Sequence, residues 1–149
     1  ERVDVGRAED MYAAVTDLSS DNDIIIMCSA VADYTPAEYA PQKIKKSDSS
    51  LSIPLIRTKD ILRFLGENKK QGQKIVGFSM ETENLIENSR KKLEKKNADL
   101  ICANSICSEE TGFGVDTNRV TLISANEIKE LPLCSKEDTA DMILSYILS

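Results

Sequence analysis

Three short apolar runs limit the folds open to this chain more than any other feature. They cover residues 23–30 (DIIIMCSA), 74–81 (KIVGFSME) and 98–104 (ADLICAN), and the first reads as apolar on both faces. This pattern is typical of central parallel strands that helices cover on both sides. Because each run is followed by a helical pattern or by a loop, the sequence predicts an α/β fold with right-handed crossovers.

Weaker signals lie on either side of the first run. Residues 2–5 (RVDV) indicate a short strand end, and Met11, Val15 and Leu18 follow at helical spacing. The chain is therefore predicted to enter the first buried strand from a helix.

A further strand and helix are predicted between the first two runs. Residues 51–58 (LSIPLIRT) alternate like a strand, although Pro54 restricts that strand to an edge or a bulge. A helix is predicted to begin near Lys59, with Thr58 as its N-cap.

The pattern changes after the third run. Residues 118–134 indicate a hairpin that turns at residues 125–127, and a closing helix follows in which Ser135 and Asp138 resemble a capping box. Residues 1–149 are therefore predicted to form a single domain. Its fold is a Rossmann-like parallel sheet flanked by helices, with a C-terminal β-hairpin and a closing helix.

Composition excludes several kinds of chemistry. The 149 residues contain no histidine, so imidazole bases and the usual zinc sets are excluded. A net charge of −6 argues against general affinity for nucleic acid or membrane, and any anion site must be a local basic cluster. No apolar run approaches the roughly 20 residues of a membrane span, so the chain is interpreted as cytoplasmic. Cys28 and Cys102 lie in apolar runs and are predicted to be inert buried thiols.

The sequence lacks the glycine-rich turn that is typical of nucleotide-binding folds of this class. A doubly wound nucleotide-binding fold normally begins with a glycine-rich turn, but the six glycines here form neither GxGxxG nor GxxxxGK[ST]. Either the glycine-rich part lies upstream of Glu1, or a ligand is held differently.

A site is expected beyond the carboxyl ends of the strands, where ligands of open parallel sheets collect. The three segments there, CSAVADY, GFSMET and ANSICSEETGFGVDTN, are rich in small and polar residues. In the helix predicted near residues 83–97, Lys92 and Lys96 fall on the shoulder of the face formed by Leu85, Ile86, Ser89 and Leu93, whereas Lys91 and Lys95 point away from it. Lys92 and Lys96 either converge on a phosphate or extend beside the core.

Two other segments are candidate anion contacts. In KIKK, Lys43 and Lys45 share one side of an extended segment that is either a basic flap over a polyphosphate or an exposed surface loop. At the helix start, free amides converge, and Asp60 either caps the turn or accepts from a ribose hydroxyl.

The motifs AVADY, APQKIKK, GFSMET, ADLICAN and GFGVDTNRVTLI, in this order and with these gaps, resemble the synthetase domain of bacterial phosphopantothenoylcysteine synthetases. In many bacteria that domain is fused to a decarboxylase. The resemblance implies a homodimer that ligates 4'-phosphopantothenate to cysteine in coenzyme A biosynthesis. It uses CTP and Mg²⁺, with an acyl cytidylate as intermediate, and implies FMN only if a decarboxylase is fused upstream.

The resemblance also implies residue roles. Lys43 matches the first lysine of a KxKK motif with a catalytic and CTP-contacting role. The other implied CTP contacts are Met27, Cys28, Ser29, Asp33, Lys59, Asp60, Ile61, Leu62, Phe78, Lys92 and Lys96. Asn104 and Asn118 match motif positions too but are assigned to loop and strand-end structure, and the metal ligands are left open.

The chain departs from the family at its front. The family's glycine-rich first turn and an asparagine loop that holds the acyl intermediate do not occur here. The domain is therefore expected to be incomplete at its N-terminus. The alternative function is a non-catalytic nucleotide-binding or assembly module.

Overall fold

A computed structural model describes residues 1–45, 50–105 and 114–149 of the chain. The four helices of this part are α1 (Ala8–Leu18), α2 (Ile61–Asn68), α3 (Leu85–Lys96) and α4 (Lys136–Leu148). The strands are β1 (Ile24–Met27), β2 (Tyr34–Pro36), β3 (Leu55–Arg57), β4 (Lys74–Glu81), β5 (Leu100–Ser105), β6 (Thr117–Asn118), β7 (Val120–Ile123), β8 (Ile128–Glu130) and β9 (Cys134–Ser135). None of these helices is long and apolar enough to cross a membrane.

The main sheet has five strands in the order β1, β4, β5, β7, β8. β1, β4 and β5 are parallel, and β7 and β8 add an antiparallel hairpin. The predicted α/β class is therefore confirmed, with a sheet that is parallel in its first part and antiparallel in its last.

Two strand predictions are wrong in their details. Residues 2–5 form no strand, and β1 lies at the edge of the sheet, not at its centre. Apolar side chains on both faces of a strand indicate that other elements cover those faces. They do not indicate how many strands pair with it. β1 packs one face against α1, and Ile26 on that strand is 36% exposed.

The strand predicted at residues 51–58 is shorter than expected and does not join the main sheet. Its ordered part, β3, pairs antiparallel with β2 in a separate two-stranded arm. The Pro54 carbonyl, just before β3, accepts a hydrogen bond from Ala37 N–H (2.9 Å). Proline thus stands at the end of the arm, as expected for a residue that cannot donate to a ladder.

The core occupies both faces of the main sheet. On one face, Ile143 of α4 packs with Val76, Leu100, Cys102, Val120, Leu122 and Leu131. On the other face, Ile61 and Leu65 of α2 pack with Ile75 of β4 and with partly buried side chains of α1. Burial raises the pKa of the Cys102 thiol to about 12, so the prediction of an inert buried thiol is confirmed there. The same prediction is wrong for Cys28, which is exposed because it follows the last residue of β1.

The C-terminal predictions are confirmed. β7 and β8 form the hairpin, closed where Ser124 N–H donates to the Glu127 carbonyl (3.0 Å). Ser135 caps α4, its hydroxyl oxygen accepting from Asp138 N–H (3.0 Å).

α2 and α3 approach closely at Gly66. A Cβ at this position would overlap the Lys96 carbonyl oxygen and lie 2.9 Å from its carbonyl carbon. Asn97, which ends α3 in the left-handed conformation, donates from Nδ2 to the Gly66 carbonyl (2.7 Å). The end of α3 is therefore fixed against the middle of α2.

We expect Gly66→Ala to lower the free energy of unfolding, by about 1–3 kcal/mol, because the added methyl group forces the two helices apart. Alanine is otherwise the better helix former, so a loss reports the clash. Urea denaturation measures it. Gly6→Ala is the control, since the nearest atom to a Cβ there is 3.6 Å away. Equal stabilities of Gly66→Ala and the parent would contradict the packing described.

Candidate functional site

A pocket of about 400 Å³ lies beyond the carboxyl ends of β1 and β4, between the β2–β3 arm, the start of α2 and the last turns of α3. It brings together ten of the sequence-predicted site residues: Met27, Ser29, Asp33, Lys59, Asp60, Ile61, Leu62, Phe78, Lys92 and Lys96. These residues are far apart in sequence, and the parallel strand order places them at one edge of the sheet.

Two of the predicted residues do not line this pocket. Cys28 follows β1 but is not a lining residue, and Lys43 is exposed in the segment between the two strands of the arm. Lys45 is exposed as well, and no strand forms there to align it with Lys43. Lys46 and most of the loop after β5 lie outside the described residues.

The start of α2 packs closely on the sheet because the residue of β4 that it contacts, Gly77, has no side chain. At Gly77, a Cβ would lie 2.6 Å from Leu62 Cδ2 and 3.0 Å from Ile101 Cδ1. Gly77 is the register partner of Met27 on β1. The first turn of α2 therefore packs on the middle of β4, level with the last residue of β1.

Asp60 is the N-cap of α2, and the prediction of Thr58 as the cap is wrong. The Asp60 carboxylate accepts from Arg63 N–H (3.0 Å). Thr58 instead donates from its hydroxyl to the Ala32 carbonyl (2.6 Å) and from its N–H to the Asp33 carbonyl (2.9 Å). Thr58 thus ties the helix start to the loop that carries Asp33. Of the two roles left open for Asp60, the structure shows the cap.

The two lysines selected on α3 both face the pocket. Lys92 Nζ donates to the Phe78 carbonyl (2.9 Å), and Lys96 pairs with the Asp60 carboxylate. Lys91 pairs with Glu87 (2.6 Å), away from the pocket. The inward face is as predicted, with Ser89 and Leu93 buried. The hydroxyl of Ser89 also hydrogen-bonds Ser79 of β4 (2.7 Å).

The environment of the pocket shifts the pKa values of Asp60 and Lys92. Burial raises the pKa of Asp60, but hydrogen bonds from Lys96 and Arg63 N–H outweigh it, so the pKa lies below its ordinary value. Burial lowers the pKa of Lys92 against the opposing effect of Glu81. The charged form of Lys92 is thus stabilised by any anion that enters the pocket.

Cations predominate among the lining residues. Arg57, Lys59, Lys92, Lys95 and Lys96 face two carboxylates, Asp33 and Asp60. This surplus occurs in a chain of net charge −6. The local basic cluster that the composition requires of an anion site is therefore present at the strand ends.

Six lining residues are not among the predicted site residues, and two of them, Val31 and Ala32, lie next to the predicted Asp33. Lys95 lines the pocket although the helical projection places it opposite the core, and Tyr34, Arg57 and Thr58 come from the arm and the segment after it. Arg57 and Tyr34 are cross-strand partners. No sequence signal pairs β2 with β3 across the long intervening segment. Only the nearness of Arg57 to the predicted helix start pointed to it.

The two motif asparagines lie away from the pocket. Asn118 ends β6, and its side-chain oxygen accepts from Arg119 N–H (3.1 Å). Asn104 is buried near the end of β5, where its Oδ1 has no hydrogen-bond partner among the described residues. Neither position lines the anion site, in keeping with their assignment to loop and strand-end structure.

The whole chain, residues 1–149, matches the family described as "DNA/pantothenate metabolism flavoprotein C-terminal domain". The chain belongs to this family. The membership predicted from the ordered motifs is thereby confirmed.

Known members extend the comparison. The coenzyme A biosynthesis bifunctional protein CoaBC of Bacillus subtilis (strain 168) is 45% identical over 148 residues, which are 99% of this chain and 36% of that protein. A crystal structure of the C-terminal domain of a CoaBC protein matches with a TM-score of 0.78 at 39% identity, over 97% of this chain and 63% of that one. A Cab2 mutant in complex with phosphopantothenate-cysteine has the same fold, with a TM-score of 0.74 at 16% identity, over 98% of this chain and 51% of that one. This chain thus spans little more than a third of its Bacillus relative.

We expect the stabilising effect of Asp60 to depend on pH. Its lowered pKa means that the contribution is complete above the ordinary value of 3.8 and is lost as the pH falls through the folded-state pKa. Asp60→Asn keeps an N-cap oxygen but loses the charge opposite Lys96. The difference in free energy of unfolding between parent and variant should shrink as the pH falls from about 4 to about 2, as measured by urea denaturation. A difference that stays constant over this range would show that the pair contributes nothing.

Proposed function

We propose that this chain forms part of a CTP-dependent phosphopantothenate–cysteine ligase of coenzyme A biosynthesis. The observation that carries the proposal is the cation-rich pocket at the strand ends, in a family whose Bacillus relative is named a coenzyme A biosynthesis protein. Residues 1–149 belong to one synthetase domain in this proposal, and the protein is cytoplasmic. No residue of this chain is assigned to FMN.

The reaction consists of two substitutions. A carboxylate oxygen of 4'-phosphopantothenate attacks the α-phosphorus of CTP, and pyrophosphate leaves to give the acyl cytidylate. The amine of cysteine then attacks the acyl carbon, loses a proton and displaces CMP, which gives the amide. Neither step needs histidine, since orientation and the neutralisation of phosphate charge supply the catalysis.

The pocket offers a residue for each nucleotide contact. The end of β1 at Met27 to Ser29, the helix start at residues 59–62 and Phe78 hold the nucleoside, and Asp33 contacts the nucleotide. Lys92 and Lys96 neutralise phosphate oxygens. Phosphate competes with Asp60 for Lys96 and with the Phe78 carbonyl for Lys92, so the ligand replaces contacts that already hold both ammonium groups in position.

The pocket suits Mg²⁺ that arrives with the nucleotide. The described residues include no group of three or more cysteine, aspartate or glutamate side chains that could hold a metal. Mg²⁺ commonly binds through one or two carboxylates together with substrate phosphates and water. Asp33 is the lining carboxylate that is not paired with a lysine, and it would hold the ion. When bound, the ion neutralises phosphate charge.

The experiment that tests the function measures pyrophosphate release from CTP by the full-length protein. We expect release only when phosphopantothenate is present. CTP binding by calorimetry without pyrophosphate release would favour the alternative of a nucleotide-binding or assembly module. Absence of both would contradict either function.

Lys43 is proposed as the catalytic lysine that closes over the phosphates. We expect Lys43→Gln to lower kcat about 10²-fold or more, because a positive charge near the transferred phosphorus is lost. Steady-state release of pyrophosphate by the full-length protein measures it. Lys45→Gln removes the same charge two residues away and should retain activity. Full turnover by Lys43→Gln would end the catalytic assignment.

The protein is also proposed to be a homodimer. The β2–β3 arm exposes large apolar side chains, including Tyr34, Leu55 and Ile56, each at least 50% exposed. Large apolar side chains exposed on both faces of a two-stranded arm favour an interface.

We expect Ile56→Lys to shift the protein toward monomer, because it places a charge in the apolar surface of the arm. Sedimentation velocity at several concentrations measures the change. Leu148→Lys, at an exposed position in the last helix, is the matched control. A parent that sediments as a monomer at all concentrations would contradict the proposed dimer.

A further inference from the structure

Arg57 differs from the other cations of the pocket in what it contacts. Lys59 Nζ pairs with Glu9 (2.7 Å), Lys96 with Asp60, and Lys92 donates to the Phe78 carbonyl. Arg57 has no carboxylate or hydrogen-bond acceptor as a partner among the described residues. Arg57 is a lining residue of the pocket.

The Arg57 side chain nevertheless has one contact, with an aromatic ring. Arg57 ends β3 directly opposite Tyr34 of β2, and its guanidinium carbon lies 5.9 Å from the centre of the Tyr34 ring. Stacking on an aromatic face orients a guanidinium while leaving its N–H groups available at the edges. Lys95, which also lacks an ion pair among the described residues, has no such contact. Arg57 is therefore the cation that is both positioned and without an anion.

We propose that Arg57 binds a phosphate group of a substrate through paired N–H donors, with Tyr34 as the residue that orients it. The inference rests on the proposed function. A planar guanidinium matches two phosphate oxygens at once, which an ammonium group cannot do. Two sources supply this chemistry: the triphosphate of the nucleotide and the phosphate of 4'-phosphopantothenate.

A structural role would leave a different signature. If the contact with Tyr34 only joins the strands of the arm, loss of Arg57 lowers the melting temperature and leaves each KM unchanged. If Arg57 acts only through the general positive potential of the pocket, any cation at that position serves equally. Two substitutions at Arg57 and a second lysine substitution separate these cases.

The test uses steady-state kinetics of the full-length protein, with CTP and phosphopantothenate varied in turn. We expect Arg57→Gln to raise the KM of one of them about 10-fold or more, with kcat changed much less, as loss of a charge-assisted contact predicts. A rise for CTP alone assigns Arg57 to the triphosphate, and a rise for phosphopantothenate alone assigns it to the phosphate of the acid. Arg57→Lys should recover only a small part of the loss.

The controls use residues that differ in one respect from Arg57. Arg90→Gln removes an exposed arginine of α3 that does not line the pocket and should behave as the parent. Lys95→Gln removes one charge from the same pocket and should raise KM less than Arg57→Gln does. Unchanged KM values in Arg57→Gln, full recovery in Arg57→Lys, or equal effects of Arg57→Gln and Lys95→Gln would each overturn the inference. If the parent protein releases no pyrophosphate, the proposed function itself is contradicted. That result is distinct from the outcomes that contradict the role of Arg57.

Discussion

Close packing at two glycines, Gly66 and Gly77, determines the positions of the helices that line the pocket. Gly77 allows Leu62 to pack on β4, and Gly66 allows the end of α3 to rest against α2. The contact at Gly77 positions the start of α2 against β4. The contact at Gly66 positions the end of α3, and with it Lys96 beside Asp60. A pocket that depends on charge placement needs such fixed walls, because the interaction between charges changes steeply with distance at low solvent exposure.

The internal partners of the lining cations offset a cost that any cation-rich pocket has when it is empty. Several like charges in one pocket repel, and burial of a lysine favours its neutral form. Here Asp60, Glu9 and the Phe78 carbonyl each hold one ammonium group. These contacts keep the groups ordered and leave part of their hydrogen-bonding capacity unused, since an ammonium group has three donors. The conformational entropy of these lysine side chains is therefore lost on folding and not on binding.

The sequence predicted best what depends on local pattern. The bounds of β4, the hairpin of β7 and β8, the cap at Ser135 and the inward face of α3 all follow from periodicity or from short-range hydrogen bonding. It predicted less well what depends on tertiary pairing, such as the edge position of β1 and the separate arm of β2 and β3. All ten predicted pocket residues follow from the motif resemblance, and Asp60, Lys92 and Lys96 among them also follow from local pattern. Arg57 was missed because its role depends on a partner strand that no local pattern identifies.

The anchors of the arm bear on how Lys43 can act although it does not line the pocket. The arm is closed at its two ends by hydrogen bonds of 2.9 Å, from Ala37 N–H to the Pro54 carbonyl and from Thr58 N–H to the Asp33 carbonyl. Lys43 is six positions after Ala37, and that stretch of chain spans about 20 Å in extended form. The proposed movement of Lys43 to the phosphates therefore requires a rearrangement of the chain beyond these anchors and none of the sheet. Asp33 and Thr58, which line the pocket, would keep their geometry in that movement.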